Sequence, residues 1–208
     1  MKFRAAALLI LIGSQTLLMQ ACSRPLPPQA SCGFVQSPEL QRVAWKDKLP
    51  IRLYLHSSVP VEAYPAFDRA IQEFNAKLGG GQEALRIIAR GVSGDLNPSK
   101  DGYSTIYWLK TWDANRLNEQ ARTTIYWMGN EIFEADMRIN AGSFNYALGE
   151  TIESSEVDLV SLVVHELGHV MGLAHNPATG SVMNFSLSEG QERRVLGAVD
   201  MASLKCEY

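Results

Sequence analysis

The chain has 208 residues, 19 basic against 22 acidic side chains, a formal net charge of −3 and 46% hydrophobic residues. That is one domain's worth of sequence. It carries neither a basic stripe nor aromatic residues interleaved with Lys and Arg, which argues against nucleic acid as a partner.

In chain order, Lys2 and Arg4 precede an almost uninterrupted apolar run from Ala5 to Leu18. The run is too short to cross a bilayer comfortably, so residues 1–21 are expected to be a cleaved signal. Leu18-Met19-Gln20-Ala21-Cys22 resembles the lipobox of bacterial lipoproteins, with Gln20 departing from the usual small or apolar residue. The resemblance implies a lipid on Cys22 and a protein anchored to the membrane without spanning it. Ser23 resembles the outer-membrane sorting pattern, so the expected location is the outer membrane of a bacterial cell envelope, on either side of it. An ordinary secretory signal with a coincidental cysteine is the plain alternative. Pro25, Pro27, Pro28 and Pro38 make residues 22–44 an expected extended tether, with the domain over 45–208. Cys32 and Cys206 are the two remaining cysteines, and in an oxidising compartment such a pair predicts one disulfide.

Ile51, Leu53 and Leu55 alternate with Arg52, Tyr54 and His56, which predicts a half-buried strand over Pro50 to Val59 with His56 at its surface or edge. Phe67, Ala70, Ile71, Phe74 and Leu78 share one stripe of a helix over Pro65 to Leu78, ended by Gly79-Gly80-Gly81. Leu85 to Ala89 and Ser104 to Leu109 are expected strands, separated by a loop rich in Gly, Asp, Asn, Pro and Ser. Asp95, Asn97 and Asp101 in that loop could meet a Ca2+ ion, but their spacing matches no compact calcium motif, and a solvated loop is the simpler reading. Thr123 to Met128 and Ile132 to Ile139 read as the last two strands, joined by a turn at Gly129-Asn130.

Ser155 with Asp158 three positions on is a capping pattern for a helix that is apolar nearly all round and therefore buried. That helix carries the densest chemistry of the chain: His165, Glu166, His169, Gly172 and His175 spell HExxHxxGxxH, which holds three of the four histidines. Residues four apart share a helix face, so His165 and His169 can clamp one ion. Glu166 sits beside them as a base for a metal-activated water. Gly172 can take the left-handed conformation that ends the helix and returns His175 as a third ligand. Three neutral imidazoles with an open fourth position suit catalytic Zn2+, although other divalent ions with affinity for imidazole would also fit.

These residues resemble the zinc signature of the metzincin metallopeptidases, and Gly180-Ser181-Val182-Met183-Asn184 resembles the methionine turn that follows it. Ser181-Val182-Met183 is closest to the matrixin branch. The resemblance implies an α+β catalytic domain with a twisted, mixed five-stranded sheet, three main helices and the active-site helix under the sheet. It places Met183 beneath the ligands as an apolar floor, and Thr123 to Met128 as an edge strand taking a peptide or protein substrate as an added antiparallel strand. The implied activity is a zinc-dependent endopeptidase with Glu166 as general base, here a monomer on a lipid anchor. A cell-wall peptide hydrolase, or a non-catalytic metal- or peptide-binding lipoprotein of the same fold, are the competing functions.

Four further details bear on that resemblance. With one histidine outside the signature, the second zinc site of many matrixins cannot be assembled from its usual ligands. Phe185 stands where some metzincins carry a tyrosine, and Asn176 is neither the acidic residue nor the serine of related branches. Cys32-Gly33 could instead act like the inhibitory cysteine of matrixin propeptides, binding the metal as thiolate. Ser188 and Gln191 read as a second capping box before a C-terminal helix, on which Asp200 either hydrogen-bonds the methionine turn or faces solvent. The specificity pocket is expected to lie partly on Asn184 to Glu189.

Overall fold

The computed structural model describes residues 27–78, 81 and 83–208. The apolar run, the lipobox and Cys22 lie outside the described residues, as do Gly79 and Gly80 of the expected helix stop. The elements are β1 (Ile51–His56), α1 (Tyr64–Leu78), β2 (Leu85–Val92), β3 (Ser104–Leu109), β4 (Ala121–Met128), β5 (Glu131–Asn140), the short pair β6 (Tyr146–Ala147) and β7 (Val157–Asp158), α2 (Leu159–Val170) and α3 (Ala198–Leu204).

The period-two alternation of β1 puts Ile51, Leu53 and Leu55 fully inside the protein. Its neighbours build a five-stranded sheet in the order β2-β1-β3-β5-β4, parallel except for β4, which returns antiparallel beside β5 and forms one edge. The 3.6-residue stripe of α1 buries Phe67, Ala70 and Phe74, and α1 packs against α2, which also crosses β4 and β5. Burying each of the two phenylalanine side chains is worth about 1.5–3 kcal/mol. The mixed sheet and three α-helices make the fold α+β, as the sequence led us to expect.

Residues 27–44 do not behave as a tether. Phe34, Val43 and Ala44 are buried, and an extended, solvated chain would have left them in water. Val35 N–H donates to Gly172 O at 2.9 Å and Ala174 N–H to Gly33 O at 2.7 Å, so the segment runs beside the chain that leaves α2. A Cys32–Cys206 disulfide joins it to the C-terminus. Its formation consumes the Cys32 thiol, which is therefore not a ligand for any metal.

The N-terminal end of α2 is closed locally and the C-terminal end by groups from elsewhere. The N-cap is Asp158, which accepts from Ser161 N–H at 3.0 Å, while Ser155 lies in the turn before β7 and makes no cap. At the other end Trp45 Nε1 donates to Val170 O at 2.7 Å and Tyr208 Oη to Met171 O at 2.6 Å, satisfying carbonyls that a helix leaves open. The second expected capping box is also displaced. Ser188 and Gln191 lie in irregular chain, and the N-cap of α3 is Gly197, whose N–H donates to Asp200 Oδ2 at 2.9 Å. The intervening residues are held by tertiary bonds, among them Leu196 N–H to Glu73 Oε1 at 2.9 Å, which a local capping pattern cannot foresee.

His56, expected at the surface or a strand edge, is only 5% exposed on a strand flanked by β2 and β3, with Nδ1 2.9 Å from Ser58 Oγ and Nε2 3.3 Å from Gly94 O. On the same outer side of the sheet Asp136 accepts from Thr105 N–H at 3.0 Å. Burial, with Glu134 and Asp101 adding to it, pushes the Asp136 carboxyl up to about 7.

Two outcomes follow for stability. Replacing Cys32 and Cys206 together by Ser is expected to cost about 2–5 kcal/mol in chemical denaturation, because the crosslink closes nearly the whole domain. A raised carboxyl binds its proton more tightly in the folded chain. The stability it contributes is therefore fully present below about pH 4 and lost as pH rises through about 7. Across that window Asp136→Asn should flatten the fall in unfolding free energy, measured by chemical denaturation, by up to about 1.4 kcal/mol per pH unit, the limit for one proton.

Candidate active site

The helical repeat of α2 stacks His165 and His169 one turn apart on its cleft side. Val182 O lies 2.7 Å from His165 Nδ1, and Leu173 O lies 2.8 Å from His169 Nδ1. A carbonyl only accepts, so each Nδ1 must carry the ring's hydrogen, leaving Nε2 as a bare lone pair. Burial drives all three signature imidazoles toward the neutral form, His165 down to about 3. The two bare Nε2 atoms nevertheless face each other at 3.2 Å with no proton between them.

The third imidazole arrives through Gly172. Its φ of +98° disfavours an L side chain, and a methyl there would lie 2.4 Å from Val43 O. The chain turns at that point, and His175 Nε2 comes within 3.1 Å of His169 Nε2. Three nitrogens bound to one tetrahedral ion at about 2.0–2.1 Å would stand about 3.3 Å apart. The residues present therefore fit zinc: their spacing is right, and a cation is what makes facing lone pairs favourable. Among the described residues this is the one cluster of three His, Cys, Asp or Glu side chains able to share an ion. Asp95 and Asp101 instead spend a carboxylate oxygen each on the local N–H groups of Asn97 and Tyr103.

Met183 packs against α2 at Gly168, between His165 and His169 in the chain. A methyl at Gly168 would come within 2.2 Å of Met183 Sδ, so only glycine at that point of α2 lets the methionine turn approach. Asp200, buried on α3, settles the alternative left open by sequence: Oδ2 accepts from Val182 N–H at 2.9 Å, and Oδ1 accepts from Ser181 Oγ. The carboxylate thereby fixes the turn whose Val182 carbonyl in turn fixes His165.

Glu166 is 4% exposed, and Thr123 Oγ1 on β4 donates to its Oε2 at 2.6 Å. Burial pushes the Glu166 carboxyl up to about 7, against the opposing effect of that hydroxyl. Thr123 as a partner was not legible in the sequence, where it is one β-branched residue at the start of a strand. The cleft in front has a volume of about 520 Å3 and is walled on one side by β4 and on the other by Asn184 to Leu187. Phe185 stands 74% exposed on that wall, where its ring has no polar atom to offer.

A Matrixin family model matches residues 98–208, which take in β3 to β5, α2, the methionine turn and α3. The chain belongs to the matrixin family. Comparison with the curated proteins found no match.

In this matrixin the first turn of the histidine helix is tied down by a residue that no spacing rule points to. Arg194 has a side chain only 5% exposed, and it grips Asp158 with Nε at 2.8 Å and Nη2 at 2.7 Å. The neighbouring Arg193 donates its N–H to Ser161 Oγ at 2.6 Å and Nη2 to Asn184 O at 3.1 Å. The pair clips the N-terminal end of α2 to the wall of the cleft. Arg194→Met should cost about 3–5 kcal/mol in thermal or chemical unfolding, since it strands the buried Asp158 carboxylate. Pairing it with Asp158→Asn should recover part of that loss.

Proposed function

We propose that this matrixin is a zinc-dependent endopeptidase held at the bacterial cell envelope by a lipid on Cys22. The observation that carries the catalytic part is the placement of one carboxylate, Glu166, in the same cleft as three imidazoles with bare Nε2 atoms, restrained by Thr123. A module that only bound metal would need the histidines and have no use for a base.

Zinc on His165, His169 and His175 would supply a Lewis acid that polarises the scissile carbonyl and acidifies the attacking water. Thr123 occupies Oε2 of Glu166, so the other oxygen is the one that takes the water's proton and later hands it to the departing amine. Its raised affinity for a proton suits both tasks near neutral pH. Met183 packs against Gly168 on the ligands' helix without contributing a donor. With Phe185 on the wall, no side-chain hydroxyl at that position shares in stabilising the oxyanion.

The substrate is a peptide laid along β4. Gln120 O accepts from Asn140 N–H, so Gln120 turns its backbone toward β5. By the alternation of an antiparallel ladder, Ala121, Thr123 and Ile125 present N–H and C=O to the open side. All three line the cleft, and an extended chain can add there as a further antiparallel strand. What supports anchoring is the sequence of residues 1–22 alone. Pro27 O is bonded to Gln41 Nε2 at 2.7 Å, so five residues after a lipidated Cys22 the chain would already be fixed to the domain, within about 17 Å.

Glu166→Gln should retain the metal, read by elemental analysis of the purified protein, while peptide-library cleavage drops by about 10²–10⁴. A chelator should abolish wild-type cleavage, and added zinc should restore it. Turnover undiminished by the Gln substitution would sink this reading. Running muropeptides beside protein substrates in the same assay tells which amide the enzyme cuts.

A further inference from the structure

We infer that Gln120 closes the downstream end of the cleft, so that the site favours substrates with a short stretch after the scissile bond. The inference rests on the endopeptidase reading above and narrows it: bonds followed by about three residues are the ones cut fastest. Three observations on the two cleft walls support it.

First, Gln120 reaches from one wall to the other. It precedes β4, lines the cleft, and its side-chain Nε2 donates to Leu187 O, on the opposite wall, at 2.9 Å. Secondly, the base of this strap is fixed from behind. Gln120 O accepts from Asn140 N–H at 2.9 Å and from Tyr146 Oη at 2.8 Å, and Asn140 Nδ2 donates to Glu119 O at 2.9 Å, so the backbone that carries the amide cannot swing aside with it. Thirdly, the direction of the substrate is set by the edge strand. A peptide antiparallel to β4 advances as the β4 numbering falls. From the catalytic level, marked by the Thr123 contact to Glu166, its C-terminal portion passes Ala121 and then meets the Gln120–Leu187 bond. Three strand residues cover about 10 Å, so about three substrate residues fit before the strap.

A longer substrate must break the strap, leaving the Leu187 carbonyl and the Gln120 amide to find other partners. The test uses the metal-loaded protein and nested peptides that share one cleavable core and grow one residue at a time beyond the scissile bond. For wild type, kcat/KM is expected to fall about tenfold once more than about three residues follow that bond, the scale of one hydrogen bond lost. Gln120→Ala, and Gln120→Asn, whose amide is one methylene too short to span the cleft, are both expected to level the profile. Equilibrium binding of the same peptides to Glu166→Gln protein, where nothing is turned over, should show the same length threshold. Cleavage by wild type that ignores downstream length, or a threshold unchanged in both Gln120 variants, overturns the inference and leaves the peptidase reading standing. A length threshold in binding, with no cleavage by wild type of any member of the series, overturns the peptidase reading and leaves the strap in place.

Discussion

Two imidazoles that each give their only N–H to a backbone carbonyl face one another with bare nitrogens, and the rest of the active site is arranged around that constraint. Val182 O and Leu173 O fix the tautomers of His165 and His169, and burial keeps both rings neutral. Facing lone pairs at 3.2 Å repel unless a cation lies between them. Preorganisation therefore costs stability in the metal-free chain, and the surrounding packing has to supply the difference.

That packing comes from both ends of the chain. Asp200 holds the methionine turn, which presents Val182 O to His165 and seats Met183 against Gly168. Trp45 and Tyr208 satisfy the last carbonyls of α2, and Arg194 locks its N-cap. The segment around Gly33 and Val35 pairs with the chain on either side of Leu173, so the return of His175 depends on residues 140 positions earlier. The Cys32–Cys206 bond then holds that segment and α3 together. None of these groups touches the cleft chemistry directly, yet each restrains an atom that does.

The sheet contributes an edge. Because β4 has one neighbour, its alternate residues offer unpaired N–H and C=O groups to the cleft, and Thr123 uses its side chain to restrain the Glu166 carboxylate. One short strand thus carries both the open edge and the partner of the buried carboxylate. At its start, Gln120 joins the opposite wall, so the features that would align a peptide also bound how far it extends.

The parts of this protein that could be read from residue order are those whose geometry is local. The spacing of His165, His169 and His175 about Gly172, the alternation of β1 and the stripe of α1 each follow from the periods of helix and strand, which operate within a few residues. The docking of residues 27–44, the N-cap of α3 at Gly197, the burial of His56 and the roles of Thr123, Gln120 and Arg194 could not be read in that way. Most of these contacts end on a backbone N–H or carbonyl or on a distant side chain. Every residue carries the same backbone groups, so residue type gives no signal of which will be met. The sequence by itself determined the three-histidine cluster, the carboxylate beside it and the fold class; only the tertiary structure decided which atoms orient those side chains and which segments wall the cleft, because those depend on segments far apart in the chain coming together.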